Sequence, residues 1–394
     1  MTMASSSASY PDRKILEGVP RVNFFEGGKR CPEDIILPSI MRAILEYLGE
    51  EDYGCKHCLA QRPNCKVFCT YAHLVGVSGA ASYLSWKEGW HGDNIAIFYM
   101  SDDATTPERR IFEAVGYTYE MMDPGESGQS GDQPARFRQA IIESINRGMP
   151  VIGYGIIGPP EAAIITGYDD GGDILTGWSF FQSFEEFSRG VEFEPSGYFR
   201  KRDWSKDTAC LLVIGEKQAK PPLAETVRDA LSWMLRVTRT PMVKPEPDAP
   251  EWYRHRHNGL AAYDAWAEHL LQDQNFPADD DGVLRQRYRI HTDAVGTVAE
   301  ARWYGSLFLA EIAENFVAGP GKPGTSVHIL HAAACYAAEH DLMWKIWDLA
   351  GGIANPDAYR SMTDPAVRRA MVDIIRQARD QDAAAANYIE QALA

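Results

Sequence analysis

The sequence has no apolar run near the roughly 20 residues that a membrane-spanning helix needs. It is also short of positive charge. Its 39 Lys and Arg stand against 55 Asp and Glu, a net charge of −16. A chain of that sign repels phosphate backbones and anionic lipid, which excludes nucleic acid and membrane as principal partners. The opening residues, MTMASSSASYPDRK, lack the apolar core of a secretion signal, so 1–20 is expected to be a loose tail and the chain cytoplasmic. Cysteine is sparse and odd in number, seven in all, which in a reducing compartment predicts thiols or metal ligands rather than disulfides. What the chain does have is bulk. At 394 residues, 45% hydrophobic and 24% charged, it can bury a sizeable core and is expected to form two to three domains.

Periodicity and breakers divide the chain near residue 217. Ile36, Ile40, Ile44 and Tyr47 recur at helical spacing and Gly49 ends the run, with Pro38 placed in the first turn. A possible edge strand covers 22–25. The stretch 68–86 is read as apolar segments around a turn at 76–79. A short helix is predicted at 107–115, a strand at 117–122, a surface loop at 123–134 and a helix at 137–147. Strands at 151–157, 161–166 and 173–181 follow, joined by tight turns, with 197–203 and 208–214 completing a β region. Beyond a boundary at 217–222, helices are predicted at 224–238, 260–272, 281–316, 327–349 and 365–394; the first of them and the proline-rich PMVKPEPDAP make 217–250 a boundary helix and linker. The expected organisation is an α+β domain over 21–216 and a helical domain over 251–394. The apolar face of the latter (Trp303, Leu307, Leu309, Ile312, Phe316) can cover the first domain or pair with a second copy in a homodimer.

Two stretches carry a resemblance. One is ILPSIMRAILEYLG, residues 36–49; the other begins at Glu161 and ends Thr166-Gly167-Tyr168-Asp169. Together they resemble the papain-like cysteine-peptidase fold of the bacteriocin-processing, C39-like type. The spacing and the later helical domain are similar to the butirosin biosynthesis protein H N-terminal family, which uses that fold for acyl transfer. The resemblance covers 20–215. It implies a helix that carries a catalytic Cys, a strand opened by a His base, and an Asp or Asn after the next strand. In this chain the base position holds Glu161, the third position falls at Gly177-Trp178-Ser179, and the cysteine nearest the nucleophile position is Cys31.

Cys31, ahead of Pro32-Glu33-Asp34, sits at a helix N-terminus, where the dipole favours the thiolate and the two carboxylates oppose it. Glu161 follows the rigid Gly158-Pro159-Pro160 turn and opens an apolar strand; a desolvated carboxylate there suits a general acid/base, or a clamp for a substrate amine. Cys31 and Glu161 are the candidate catalytic pair, and Glu33, Asp34, Asp169 and Trp178 the candidate substrate contacts. Trp178, Phe180, Phe181, Trp86 and Trp90 can line an aromatic pocket or simply form core. Cys55, Cys58, Cys65 and Cys69 could close a tetrahedral zinc site, although the six-residue middle spacing is short for one and favours free thiols; no other cofactor is expected. The Asp169–Asp173 acidic turn lacks the spacing of a calcium loop. The resemblance implies amide or acyl chemistry on a small molecule. The alternatives are a non-catalytic binding protein that kept the cleft, and a metal-dependent hydrolase or lyase.

Overall fold

The computed structural model describes residues 10–22, 33–50, 68–123, 133–243, 253–315 and 323–394. Its first elements are β1 (Lys14–Ile15), α1 (Ile36–Tyr47), α2 (Phe68–Ser78), β2 (Ser85–Lys87), α3 (Thr106–Val115), β3 (Tyr117–Met122) and α4 (Gln133–Asn146). Strands β4 (Val151–Tyr154), β5 (Ala162–Asp169), β6 (Ile174–Trp178), β7 (Glu192–Phe193), β8 (Phe199–Arg202) and β9 (Cys210–Lys217) come next. Helix α5 (Leu223–Arg239), β10 (Arg256–Asn258), α6 (Leu260–Leu270), α7 (Asp281–Asn315), α8 (Pro323–Leu349) and α9 (Pro365–Leu393) complete the chain. The fold class is α+β. Among the described residues no helix is long and apolar enough to cross a membrane.

Contacts divide these elements into two compact units. The first comprises 1–52 and 115–219, the second 53–114 and 220–394. The single boundary expected near 217 is therefore joined by an excursion, because 68–114 packs with the later helices. Two local facts account for it. The stretch 68–78 is a continuous helix, α2, not two segments about a turn, and it lies on α7 and α5. Strand β2 finds its hydrogen-bond partner in β10, with Trp86 opposite His257.

The first unit is built on an antiparallel sheet ordered β3-β9-β4-β5-β6-β8-β7. Strand β5 is its axis. Its first half pairs with β4, Ala162 to Ile165 against Tyr154 to Val151. Its second half, past the end of β4, pairs on that side with β1, Tyr168 against Lys14. Its other edge carries β6. Seven of its eight residues are buried, the near-continuous apolar pattern of a strand covered on both faces. Helices α1 and α4 pack on it. Pro38 is the third residue of α1, where no intrahelical donor is lost. The strand predicted over 151–157 stops at Tyr154 because Gly155 turns the chain at φ +81°.

The second unit is a helical assembly around two apolar clusters. One of them contains Trp86, Trp90 and Trp266, with Trp86 and Trp266 stacked at 5.7 Å. Deep in the unit lies an ionic cluster. Arg302 donates to Asp382 through Nε (3.1 Å) and Nη2 (2.6 Å), and to the Ala81 carbonyl through Nη1 (2.9 Å). Glu339 Oε2 is 3.3 Å from the same guanidinium. Tyr263 Oη bonds Glu339 and lies 3.0 Å from Asp382 Oδ2. Arg302, Glu339 and Asp382 are all 0% exposed. One cation faces two carboxylates, and Tyr263 has one proton for two acceptors. Burial raises the Glu339 carboxyl well above its ordinary range against the pull of Arg302.

Two predictions follow from this unit. Arg302→Met leaves the Asp382 charge buried without its counter-ion and lowers stability by about 3–5 kcal/mol, whereas Glu339→Gln, which keeps the side-chain shape and an acceptor for Tyr263, costs less; denaturant unfolding monitored by circular dichroism measures both. His291 is buried, accepts from Trp266 Nε1 at 3.1 Å, and is held by desolvation down to about 3 from 6.5. A depressed folded value makes its contribution complete above pH 6.5 and lost as pH falls toward 3, so the unfolding midpoint should drop on acidification through that window and drop less in His291→Gln.

Candidate functional site

Glu161 stands at the mouth of β5. The turn before it is clamped from both ends: Gly155 N–H donates to the Glu161 carbonyl (3.1 Å), and Glu161 N–H donates to the Pro159 carbonyl (2.6 Å). The Ala209 N–H reaches the Tyr154 carbonyl at 2.8 Å and ties the start of that turn to the neighbouring chain. The Glu161 side chain is half-buried. These bonds fix the backbone on which Glu161 stands at the sheet's end. Cys31 lies outside the described residues, as do Cys55, Cys58 and Cys65. Cys69 is on the first turn of α2. Among the described residues no group of three or more His, Cys, Asp or Glu is arranged to hold a metal ion.

The other residues whose type and place suggest substrate contact have structural commitments. Glu33 is 3% exposed. Its Oε2 accepts from Ser39 Oγ (2.9 Å) and Arg42 Nε (3.0 Å). Arg42, itself 1% exposed, also donates to Glu46 (3.0 Å) and to the Arg21 carbonyl (3.1 Å). Glu33 therefore anchors α1 through a buried ion pair, a role that sequence could not separate from ligand contact because Arg42 is nine residues away. Asp34 beside it is exposed.

Asp169 accepts from Arg200 Nη2 at 2.8 Å and from the Asp170 N–H at 2.8 Å, with Arg13 Nη1 at 3.7 Å. Burial alone would raise its carboxyl. The hydrogen bonds from Arg200 and Asp170, with the charges of Arg200 and Arg13, hold it below the usual range. Glu194 bonds the same Arg200 and lies 3.1 Å from Arg13, so four charges pin the β5–β6 and β7–β8 hairpins together.

Trp178 closes the list. Its Nε1 donates to the Val19 carbonyl (2.9 Å), and its ring meets Tyr198 edge-on at 5.0 Å. Tyr198 Oη accepts from Val19 N–H and donates to the Leu16 carbonyl, both at 3.0 Å. The two aromatics strap residues 16–19 to the sheet. On either side of Trp178 the third position of the expected triad is equally committed. A Cβ on Gly177 would sit 1.8 Å from the Ile164 carbonyl, and Ser179 Oγ caps the next turn by accepting from Phe181 N–H. Trp86 and Trp90 belong to the second unit's core and are not grouped with Trp178.

The Thr166-Gly167-Tyr168-Asp169 segment is explained in the same way. At Gly167 a Cβ would lie 2.5 Å from the Lys14 carbonyl, so only glycine lets β1 approach. Tyr168 Oη donates to the Pro11 carbonyl (3.1 Å) and accepts from Asn146 Nδ2 (2.8 Å). Sequence reasoning missed Phe184 and Phe187, which join Phe181 in an aromatic group beside the Glu161 turn; their three-residue spacing in Phe181-Gln182-Ser183-Phe184-Glu185-Glu186-Phe187 was the available signal.

No protein-family model and no curated protein matches this chain. The site is therefore read from its own chemistry. Glu33→Ala should lower stability by about 3 kcal/mol, because it strips a buried guanidinium of one carboxylate. Glu33→Gln, which keeps an acceptor for Ser39, should cost less, and chemical unfolding of both variants against the parent measures the difference.

Proposed function

We propose that the α+β unit is a papain-like, C39-like domain that performs amide or acyl chemistry on a small molecule, with Cys31 as nucleophile and Glu161 as acid/base. The observation that supports this reading is the placement of α1 on β5, the strand that Glu161 leads into. Cys31 lies outside the described residues; in sequence it precedes the first residue of α1, Ile36, by five positions. In the reaction, the Cys31 thiol gives its proton to the Glu161 carboxylate and its sulfur attacks the acyl carbon. The leaving amine or alcohol takes the proton back from Glu161 as the carbon–heteroatom bond breaks, leaving a thioester. Water or an acceptor amine then attacks the thioester, forming the new bond to carbon as the sulfur leaves with a proton.

A second reading is a binding protein of the same fold without turnover. It is favoured by one observation: Gly177, Trp178 and Ser179 are all consumed by packing, a strap and a cap, so no side chain there orients a base.

The experiment is hydrolysis of p-nitrophenyl acetate and of a short acyl thioester, with intact-mass detection of an acylated chain. Cys31→Ala should abolish the acyl adduct and turnover, and Glu161→Gln should slow turnover by about 100-fold. Turnover that survives Cys31→Ala overturns Cys31 as the nucleophile; ligand binding with neither adduct nor turnover in the parent chain favours the second reading.

A further inference from the structure

An indole N–H only donates a hydrogen bond, and a carbonyl oxygen only accepts one. An imidazole held between the two must therefore take one tautomer. His340 on α8 is held in this way. Its Nδ1 lies 2.9 Å from the Ala299 carbonyl of α7, and Trp344 Nε1 donates to its Nε2 at 3.1 Å. Nδ1 thus carries the proton, Nε2 is bare, and the ring that makes both bonds is neutral.

Aromatic rings surround this imidazole. Trp303 of α7 is 5.1 Å from it at 38°, and Trp344 6.2 Å from it at 67°. Trp347 meets Trp344 at 4.9 Å and is itself fixed by donating to Thr292 Oγ1 (2.6 Å). Trp344 is the outermost ring of the row, 43% exposed, and its indole N–H is tied to His340. Trp266 makes the same kind of bond to His291, but that imidazole is 1% exposed and shut away from water. His340 is half-buried at the surface, where a proton can reach it.

The charged groups of the three helices packed here are engaged with one another or stand in solvent. On α7, Glu300 bonds Tyr71, Arg302 lies in the buried cluster with Asp382 of α9, and Asp293 feels Arg289 of its own helix. On α8, Glu339 belongs to that same cluster and Tyr336 Oη is 2.9 Å from Ser82 Oγ. Asp341, Lys345 and Asp348 of α8 are exposed, and Asp380 of α9 is exposed across the groove lined by Asp341 and Lys345. The groups that touch the His340 ring are a carbonyl and indoles.

We propose that His340 is a proton-operated latch on Trp344. Imidazole is the side chain that exchanges a proton between about pH 5 and 8. When Nε2 takes a proton from water, a new N–H stands where its lone pair accepted the indole. Two donors then face each other, and the bond to Trp344 is lost. The other side of the ring gains. Its Nδ1–H, now on a cation, donates more strongly to the Ala299 carbonyl, and the Trp303 ring meets a positive charge. The imidazolium therefore stays on α7 while the indole leaves. The surface of α8 presents a free Trp344 in acid and a latched one at neutral pH. This device is independent of the chemistry assigned to Cys31 and Glu161.

The test uses the full chain, labelled with nitrogen-15 in its indoles and carbon-13 in its histidine rings, followed by NMR from about pH 8 to about pH 5.5. Trp344→Phe and His340→Gln assign the two resonances by their loss. In the parent the Trp344 Nε1–H resonance should move with the same midpoint as the His340 ring, and its exchange with water should rise by about 10-fold as that bond is lost, with an unchanged circular dichroism spectrum. In His340→Gln the Trp344 resonance should hold still over the same range. By linkage, Trp344→Phe removes the bond that favours the neutral ring, so the His340 midpoint should rise by about half a pH unit or more. The latch is overturned if Trp344 stays put while His340 titrates, if Trp344 moves equally in His340→Gln, or if His340 takes up no proton in this range. Should His340→Gln fail to fold, the Trp344→Phe titration decides, and an unmoved or lowered midpoint overturns the latch.

Discussion

The first unit depends on the pairing of β5 along both edges. Its inner edge is shared between β4 and β1, and the opposite edge carries β6. A strand hydrogen-bonded on both sides and covered by α1 and α4 cannot slip by one residue without turning its apolar face outward. Whatever stands at its first turn is consequently held in one place, and here that is Glu161.

The same constraint explains why so many polar groups around β5 serve structure. Each end of the strand has to be tied to a segment distant in sequence. Asp169 does this through Arg200, Tyr168 through Pro11 and Asn146, and the strap at 16–19 through Tyr198 and Trp178. Such contacts look like ligand contacts in a sequence, because the residue types are those that bind ligands. The buried partner separates the two roles: Glu33 with Arg42 at its side has no spare charge to offer a substrate. The helical unit follows a similar economy. Its buried Arg302 lies against both Asp382 and Glu339, a stable arrangement because every member has a defined partner.

Much of the architecture was legible. The helices from α5 onward appear within a few residues of where periodicity puts them, since long amphipathic repeats and flanking prolines are local signals. Strand β3 spans Tyr117–Met122 as predicted. Helix α2 was not legible, because Gly76 and Gly79 read as a turn while the packing of its apolar residues favours a helix through Ser78. Nor was the interleaving of 53–114 with the later helices, which rests on pairing between β2 and β10, some 170 residues apart. Of the site, the rigid turn before Glu161 was readable, while the aromatic group beside it was only partly so: Phe181 stood out, but Phe184 and Phe187 lie in a glutamate-rich loop.

By itself the sequence determined the acidic character of the chain, the α+β class, the position of each long helix and the fact that Glu161 opens a buried strand. These follow from composition and from periods of two and 3.6 residues, which act over a few neighbours. Tertiary structure alone decided which carboxylates are bound up in holding the fold together. Glu33, Asp169 and Asp382 are paired with arginines brought to them from elsewhere in the chain, and the energy of a buried charge depends on that partner and on desolvation, neither of which is written in the local sequence.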